Sequence, residues 1–306
     1  MKEVFQMFKK REIKGVKSDN LESVKISSKE HEEIEYMNAI ITEYQADGYT
    51  LSVRQLYYQL VARAYLENIV ANYDKMSKFV TKARMAGLID WSTIVDRTRV
   101  LHKPYYANSV SEAITDILNQ FEVDRQLNQP NYVEIMCEKD ALTGILEPVT
   151  KYYHIPLSVN KGYNSATAMY DCSNRFKAAI REGRECILLY FGDHDPSGLN
   201  MIKKDIPQRL QEFGVEPISI KHIALTTEQV ARYKPPNNPA KISDTRYSEY
   251  QKEFGAHSWE VDALRPDVLD NLLHSEIKAV IDMNIFKERL TFEQEQRQIL
   301  SEIAKR

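Results

Sequence analysis

Residues 186–198 read CILLYFGDHDPSG, and this stretch decides the fold of the second part of the chain. The first six residues are apolar or aromatic without a break, which is typical of a strand buried on both faces of a parallel sheet. Gly192 follows the strand, and two aspartates, Asp193 and Asp195, come after it. Asp195 precedes Pro196, and this order is common at the N-cap and first position of a helix. The stretch therefore predicts a strand, an acidic turn and a helix.

The segments on either side of this stretch alternate between strand and helix patterns. Strands are predicted at residues 132–138, 155–160 and 217–225, and helices at 141–152, 165–183 and 196–214. Such alternation predicts an α/β fold with a mainly parallel sheet flanked by helices. Ligands of these sheets bind at the carboxyl ends of the strands.

Three acidic residues fall at such strand ends. Glu138 closes the strand at 132–138, while Asp193 and Asp195 follow the strand at 186–192. A spacing of two along an extended chain puts both aspartates on one side and turns His194 away, so His194 is interpreted as a non-ligand. Three carboxylates form a hard oxygen site suited to Mg²⁺.

Two of these acids also have purely structural interpretations. Asp195 could serve only as the N-cap of the helix that begins at Pro196. Glu138 could form a surface ion pair with Lys139. A carboxylate that ends a buried strand needs a partner or solvent, so Asp193 has no comparable explanation.

The first part of the chain has a different pattern. Apolar positions recur at helical spacing over residues 31–45, again after Ser52, and over 73–86, and a β-prone stretch follows at 90–100. Three short helices and a ribbon are typical of a winged helix, whose third helix enters the DNA major groove. The alternative is a small helical domain with an ordinary solvated basic face.

Charge is distributed unevenly between these parts. Residues 51–104 carry nine Lys and Arg against four acids, a charge of +5, while the whole 306-residue chain has a net charge of −3. The total argues against a protein that simply coats polyanions, so DNA binding must rest on a local patch. The candidate DNA-binding residues are the outward cations of the third helix: Lys75, Lys78, Lys82 and Arg84.

Two motifs resemble those of one family. The runs VEIMCEKDALTGIL, NKGYNSATAMYD and ILLYFGDHDPSGLNM are similar to the Toprim fold, and SVRQLYY at 52–58 is similar to an Arg-x-x-Tyr-Tyr signature. Together they resemble the topoisomerase VI A subunit and its meiotic double-strand-break relatives. The chain is shorter than a typical A subunit, which points to a compact prokaryotic or mobile-element relative.

The resemblance implies a function. Tyr58 would be the nucleophile, Arg54 would assist it, and Glu138, Asp193 and Asp195 would bind Mg²⁺. Cleavage of double-stranded DNA by transesterification would leave a 5′-phosphotyrosyl link, as in a type IIB topoisomerase A subunit, and each cut site would be shared across a homodimer. Tyr57 lies on the apolar helix face and is assigned to the core. Because the sequence has no GxxxxGK loop, ATP-driven strand passage would need a separate B-type ATPase subunit.

Two other functions stay open at the sequence level. The first is a Toprim nuclease in which metal-activated water attacks and Tyr58 is structural. The second is a non-catalytic DNA-binding scaffold. Salt-dependent binding without cleavage would distinguish the scaffold from both enzymes.

The remaining features set the organisation and the cellular setting. The expected domains are an N-terminal arm at 1–30, a winged helix at 31–104 and a Toprim domain with C-terminal helices at 105–306. No run is apolar enough for a membrane span and three scattered cysteines predict buried thiols, so a cytoplasmic, nucleoid-associated protein is expected. Residues 259–264 predict an alternating strand whose Glu260 and Asp262 either add acidity near the metal or, as favoured, face solvent or play a structural role.

Overall fold

The computed structural model describes residues 24–94, 104–159 and 165–304, and the chain divides into two units. The first unit comprises Met1–Arg97 with Pro235–Asn238, and the second comprises Thr98–Lys234 with Pro239–Arg306. Most of the predicted N-terminal arm lies outside the described residues, and the domain boundaries at 30 and 104 stay a prediction.

The described helices of the first unit are α1 (Ser28–Ala46), α2 (Val53–Ala62) and α3 (Val70–Met85). Ser27 and Ser52 cap α1 and α2 in capping boxes completed by Glu30 and Gln55. Most of the apolar residues predicted to face inward are buried on all three helices, while Val53, Val61 and Phe79 are partly buried, and α2 is buried continuously over residues 55–60. The central helix of the trio is therefore the one that carries the SVRQLYY motif.

The β-ribbon predicted at 90–100, which would make this unit a winged helix, falls only partly within the described residues. Within the described residues, Ile94 forms an isolated parallel bridge with Leu51, and residues 95–103 lie outside them. The winged helix therefore stays a prediction.

The second unit contains a four-stranded sheet in the order β2-β1-β3-β4, with all three strand pairs parallel. The strands are β1 (Asn131–Cys137), β2 (Leu157–Val159), β3 (Glu185–Phe191) and β4 (Ser219–Ala224). The prediction of an α/β fold with a parallel sheet flanked by helices is thus confirmed.

Helices lie before, between and after these strands. They are α4 (Val110–Gln120), α5 (Thr143–Tyr153), α6 (Ala166–Arg181), α7 (Pro196–Asn200), α8 (Ile206–Glu212), α9 (Thr227–Tyr233), α10 (Tyr247–Phe254), α11 (Pro266–Val280) and α12 (Met283–Ala304). Two short strands, β5 (Asn237–Pro239) and β6 (His257–Trp259), pair with each other in a separate sheet. The helix predicted at 196–214 is interrupted by a π-helical turn at Met201–Asp205. The prediction of a strand at 259–264 is wrong, because a 3₁₀ turn occupies Val261–Ala263.

Both faces of the sheet are buried. Val133, Ile135 and Cys137 of β1 pack into one apolar core with α5 and α11, and Met136 packs into a second core on the opposite face with α6 and α8. Period-two alternation of side chains explains this division, and burial of both faces explains why the strands are apolar throughout.

Across residues 24–94, 104–159 and 165–304, no helix has the length and apolar character needed to cross a membrane.

Candidate active site

The carboxyl ends of β1 and β3 bring two acids together. Cys137 and Phe191 are register partners at the ends of these neighbouring strands, so Glu138 and Asp193 follow at the same edge of the sheet. The backbone N–H of Asp193 donates to Oε2 of Glu138 at 3.1 Å, and the Tyr190 hydroxyl donates to the same oxygen at 3.3 Å. The predicted proximity of Glu138 and Asp193 is thus found in the structure.

The Asp193 side chain is held on both oxygens. It is 6% exposed, its Oδ1 accepts from the backbone N–H of Val261 at 2.9 Å, and its Oδ2 lies 2.7 Å from Nζ of Lys139. Burial raises the pKa of Asp193, Lys139 opposes the shift, and the charges of Glu138 and Asp262 add to it. The carboxylate is fixed in place but electrostatically crowded.

The pKa of Glu138 is shifted in the same direction as that of Asp193. Burial is the main reason that its pKa is raised, and the charge of Asp195 raises it further, while the Asp193 N–H and Lys139 oppose the shift. Glu138 therefore interacts electrostatically with Asp193 and with Asp195, as it would beside a site that binds a cation.

Asp195 has the structural role that its sequence context allows. Its Oδ1 accepts from the backbone N–H of Gly198 at 2.7 Å and caps α7, whose first residue is Pro196. A Cβ at Gly198 would overlap the carbonyl oxygen of Asp193, so this turn requires glycine. The capping bond does not test a second role for Asp195 as a metal ligand.

His194 points away from the acids, as its place between them predicts. Its ring nitrogens lie 3.0 Å from the Tyr250 hydroxyl and 2.9 Å from Oγ1 of Thr227, and the side chain is 1% exposed. The backbone N–H groups of His194 and Trp259 each donate a hydrogen bond to the carbonyl oxygen of the other residue. The histidine therefore anchors the acidic turn to α9, α10 and β6.

Lys139 and the segment after β6 differ from the sequence expectations on two points. Lys139 does not form the proposed surface pair with Glu138, because its Nζ lies against Asp193 and, at 3.1 Å, against Oε2 of Glu260. Asp262 is 1% exposed, so it does not face solvent, while the structural role and the added acidity near the metal both stay open. Burial lowers the pKa of Lys139, but the charges of Asp193, Asp262 and Glu260 outweigh burial and raise it. The only sequence signal for this cluster was the acidic pair after Trp259.

The donor chemistry of this site fits a hard cation, although the ligands are not in a finished arrangement. Within the described part of the chain, no three His, Cys, Asp or Glu side chains form a ready-made metal-binding group. Mg²⁺ usually takes only one or two carboxylates and fills its other positions with water and phosphate oxygens. Glu138 and Asp193 can supply those carboxylates.

The candidate nucleophile lies in the first unit, on α2. Arg54 is exposed and Tyr58 is only 3% exposed, and the spacing of four puts them on one face of the helix. Tyr57 is also 3% exposed, and its hydroxyl lies within hydrogen-bonding distance of the carbonyl oxygens of Glu67 and Ile69. The core assignment of Tyr57 agrees with these contacts, and the role of Tyr58 stays a prediction.

The four candidate DNA-binding cations of α3 differ in their surroundings. Lys75 and Lys78 are exposed and form no ion pair with any other described residue. Lys82 instead pairs with Glu30 at 2.5 Å, and Arg84 donates to the carbonyl oxygens of Trp91 and Ile94 while lying 4.5 Å from the centre of the Trp91 ring. Lys75 and Lys78 are therefore the better placed pair for contact with phosphate.

Three further contributors to the predicted basic segment, Arg97, Arg99 and Lys103, lie outside the described residues, and Arg63 pairs with Glu43. The turn at 160–164, which contributed to the family resemblance, also lies outside them.

Comparison of the chain with models of protein families, with curated proteins and with solved structures gave no match.

Proposed function

We propose that this protein is a Mg²⁺-dependent DNA transesterase related to the topoisomerase VI A subunit. The observation that carries the proposal is the pair Glu138 and Asp193, which lie in contact at the carboxyl edge of a parallel sheet. The Toprim-like order of the motifs and the SVRQLYY sequence on a capped helix support it. Double-stranded DNA is the proposed substrate. The proposed active form is a homodimer, with a separate ATPase subunit as its candidate partner.

In this proposal, the phenolic oxygen of Tyr58 attacks a backbone phosphorus and the bond to the 3′ oxygen breaks. The phenol loses its proton, the downstream strand keeps a 5′-phosphotyrosyl link, and the upstream strand ends in a 3′ hydroxyl. A free phenol has a pKa of about 10, so a nearby guanidinium such as that of Arg54 favours the phenolate and the charge that develops on the phosphate.

Glu138 and Asp193, with Asp195 beside them, would hold the metal. Bound Mg²⁺ would neutralise phosphate charge and stabilise the departing oxygen. Lys75 and Lys78 would bind flanking phosphates and position the duplex without reading its sequence.

The test is a trapping experiment with the full chain. Duplex DNA labelled at its 3′ ends is incubated with the protein and Mg²⁺ and then denatured, so that a 5′-phosphotyrosyl link leaves the label on the protein. The link is then mapped by mass spectrometry. We expect the adduct at Tyr58, with at least about a hundredfold loss in Tyr58→Phe and in Asp193→Asn.

Tyr57→Phe is the matched control, because it removes the neighbouring hydroxyl. It should keep the adduct and cost about 1 kcal/mol of stability, since the Tyr57 hydroxyl lies against the Glu67 and Ile69 carbonyls. An adduct that persists in Tyr58→Phe would disprove the assignment.

The burial of Tyr58 favours one second candidate, a nuclease in which water attacks the phosphate. A side chain that is 3% exposed must be uncovered before it can reach DNA, and the water mechanism has no such requirement. This candidate predicts free 5′-phosphate ends, undiminished cleavage by Tyr58→Phe and lost cleavage by Asp193→Asn. Salt-dependent DNA binding with no cleavage by any variant would leave only the scaffold function.

A further inference from the structure

Lys139 is the positive charge at the centre of the acidic site. Its Nζ lies 2.7 Å from Oδ2 of Asp193 and 3.1 Å from Oε2 of Glu260, and its side chain is 19% exposed. The charge of Asp262 also acts on it. Two carboxylates from distant segments of the chain therefore contact one ammonium group, and a third acts on it through its charge.

The Asp193 oxygen that contacts Lys139 is also the one that no backbone group of a described residue is shown to bind. Oδ1 of Asp193 is oriented by the backbone N–H of Val261, so Oδ2 is the oxygen that faces Lys139 and that a cation entering the same space would meet first. An ammonium group and a divalent cation cannot both occupy the space next to Oδ2, because like charges in contact repel strongly in a half-buried site.

We propose that Lys139 is a placeholder cation, which occupies the acidic site in the metal-free protein and which a divalent cation must displace from Asp193. Glu260 and Asp262 then hold the displaced ammonium group. This inference rests on the metal site of the proposed function but not on Tyr58 or on DNA cleavage. Lys139 is thus a positioning residue that sets the metal affinity of the site.

The placeholder has two opposing effects. Without metal, the Lys139 ammonium group stabilises the folded protein by pairing with the buried carboxylates, because an unpaired buried charge is costly. With metal, it competes for Asp193 and weakens binding. Removing the ammonium should therefore destabilise the metal-free protein and tighten metal binding, whereas a merely structural lysine would lower both stability and affinity.

The experiment uses the full chain without DNA and compares wild type with Lys139→Met. Mn²⁺ serves as the probe; its affinity is measured by calorimetry, and Tm is measured in EDTA and in Mn²⁺. We expect Mn²⁺ to bind Lys139→Met at least about tenfold more tightly than wild type. We also expect a lower Tm than wild type in EDTA and a larger rise in Tm on adding Mn²⁺.

Two further variants sharpen the comparison. Lys139→Arg retains the positive charge and should bind Mn²⁺ no more tightly than wild type. Lys177→Met is the matched control, because Lys177 is half-buried and donates to the Phe213 carbonyl rather than to an acid. It should leave both the Mn²⁺ affinity and the metal-dependent rise in Tm unchanged.

The outcomes separate this inference from the proposed function. Equal or weaker Mn²⁺ binding by Lys139→Met would overturn the placeholder role while leaving the metal site intact. A Lys139→Met protein that unfolds even with Mn²⁺ would overturn it as well, whereas one that folds only with Mn²⁺ would support it. If wild type and variant both fail to bind Mn²⁺, the metal site itself is lost from the proposed function.

Discussion

At the scale of single residues, Gly198 determines how closely α7 approaches the acidic turn. A Cβ at this position would overlap the Asp193 carbonyl oxygen. We expect Gly198→Ala to lower the free energy of unfolding by about 1–3 kcal/mol and to weaken Mn²⁺ binding, because the backbone of Asp193 must shift. Denaturant unfolding and calorimetry measure the two effects.

Gly214→Ala is the control for this substitution. Gly214 has a φ of +78° and open space around its Cβ position, so alanine should cost about 1–2 kcal/mol through backbone strain alone. Its Mn²⁺ affinity should equal that of wild type. Unchanged metal binding by Gly198→Ala would contradict the role given to the turn.

His222, on β4, makes stability depend on pH. Burial lowers its pKa to about 4, and the neighbouring charges of His194 and Lys203 contribute in the same direction. Between the unfolded pKa of about 6.5 and pH 4, the unfolded chain binds more protons than the folded one, so stability falls as the pH falls. We expect His222 to contribute a loss of up to about 3 kcal/mol across this range in EDTA, while the raised pKa values of Asp193 and Glu138 act in the opposite direction.

His222→Gln should flatten this part of the stability profile, measured by urea unfolding at each pH. His257→Gln serves as the comparison, because His257 is exposed on β6 and its removal should leave the slope unchanged. A slope that is the same in wild type and His222→Gln would show that other groups cause the pH dependence.

At the scale of elements, a buried ion pair fixes α12. Arg125 donates two hydrogen bonds to Glu293, at 3.0 and 2.7 Å, and a third to the Tyr152 carbonyl at 2.8 Å. Both charged side chains are less than 10% exposed. We expect Arg125→Met or Glu293→Leu alone to cost about 3 kcal/mol, because each leaves the other charge buried without its main partner. A weaker ion pair then remains, with Arg297 for Glu293 and with Glu122 for Arg125.

The double variant Arg125→Met/Glu293→Leu should cost less than the sum of the two single variants in denaturant unfolding. The exposed pair Arg63 and Glu43, 2.7 Å apart, provides the control, and its removal should cost no more than about 1 kcal/mol. Additive costs at Arg125 and Glu293 would show that the buried pair is not coupled.

The elements also show what the sequence could and could not predict. Local patterns sufficed for α2, whose Ser52 cap and apolar face are both found, and for the adjacency of Glu138 and Asp193, which follows from parallel pairing. The partnership of Lys139 with Glu260 spans 121 residues. No local pattern encodes such a contact, and the turn at Val261–Ala263 is fixed by its bond to Asp193 rather than by its alternating sequence.

At the scale of the whole molecule, the proposed function requires two copies of the chain. If Tyr58 of one subunit works with the acids of its partner, a mixture of Tyr58→Phe and Asp193→Asn subunits forms heterodimers with one intact site and one doubly defective site. We expect this mixture to form covalent nicks but no double-strand breaks, while each variant alone forms neither. Supercoiled DNA is the substrate, because a nick converts it to an open circle and a double-strand break converts it to a linear molecule.

A mixture that remains inactive, despite heterodimers shown by differential tagging, would mean that each chain builds its own site. A double variant carrying both changes on one chain, mixed with wild type, is the control. Its heterodimers, isolated through the two tags, should form no adduct, because one shared site then lacks the tyrosine and the other lacks Asp193; nicking by these heterodimers would mean that each chain builds its own site.

The pairing of Cys137 with Phe191 also has a consequence for folding. Glu138 and Asp193 meet only because β1 and β3 are in this register, and a slip by one residue would exchange the two faces of a strand. At the proposed metal site, affinity for Mn²⁺ would therefore report on strand alignment. A refolded sample can have native helix content and still contain misaligned sheets, and the fraction that binds Mn²⁺ would measure how many molecules have aligned correctly.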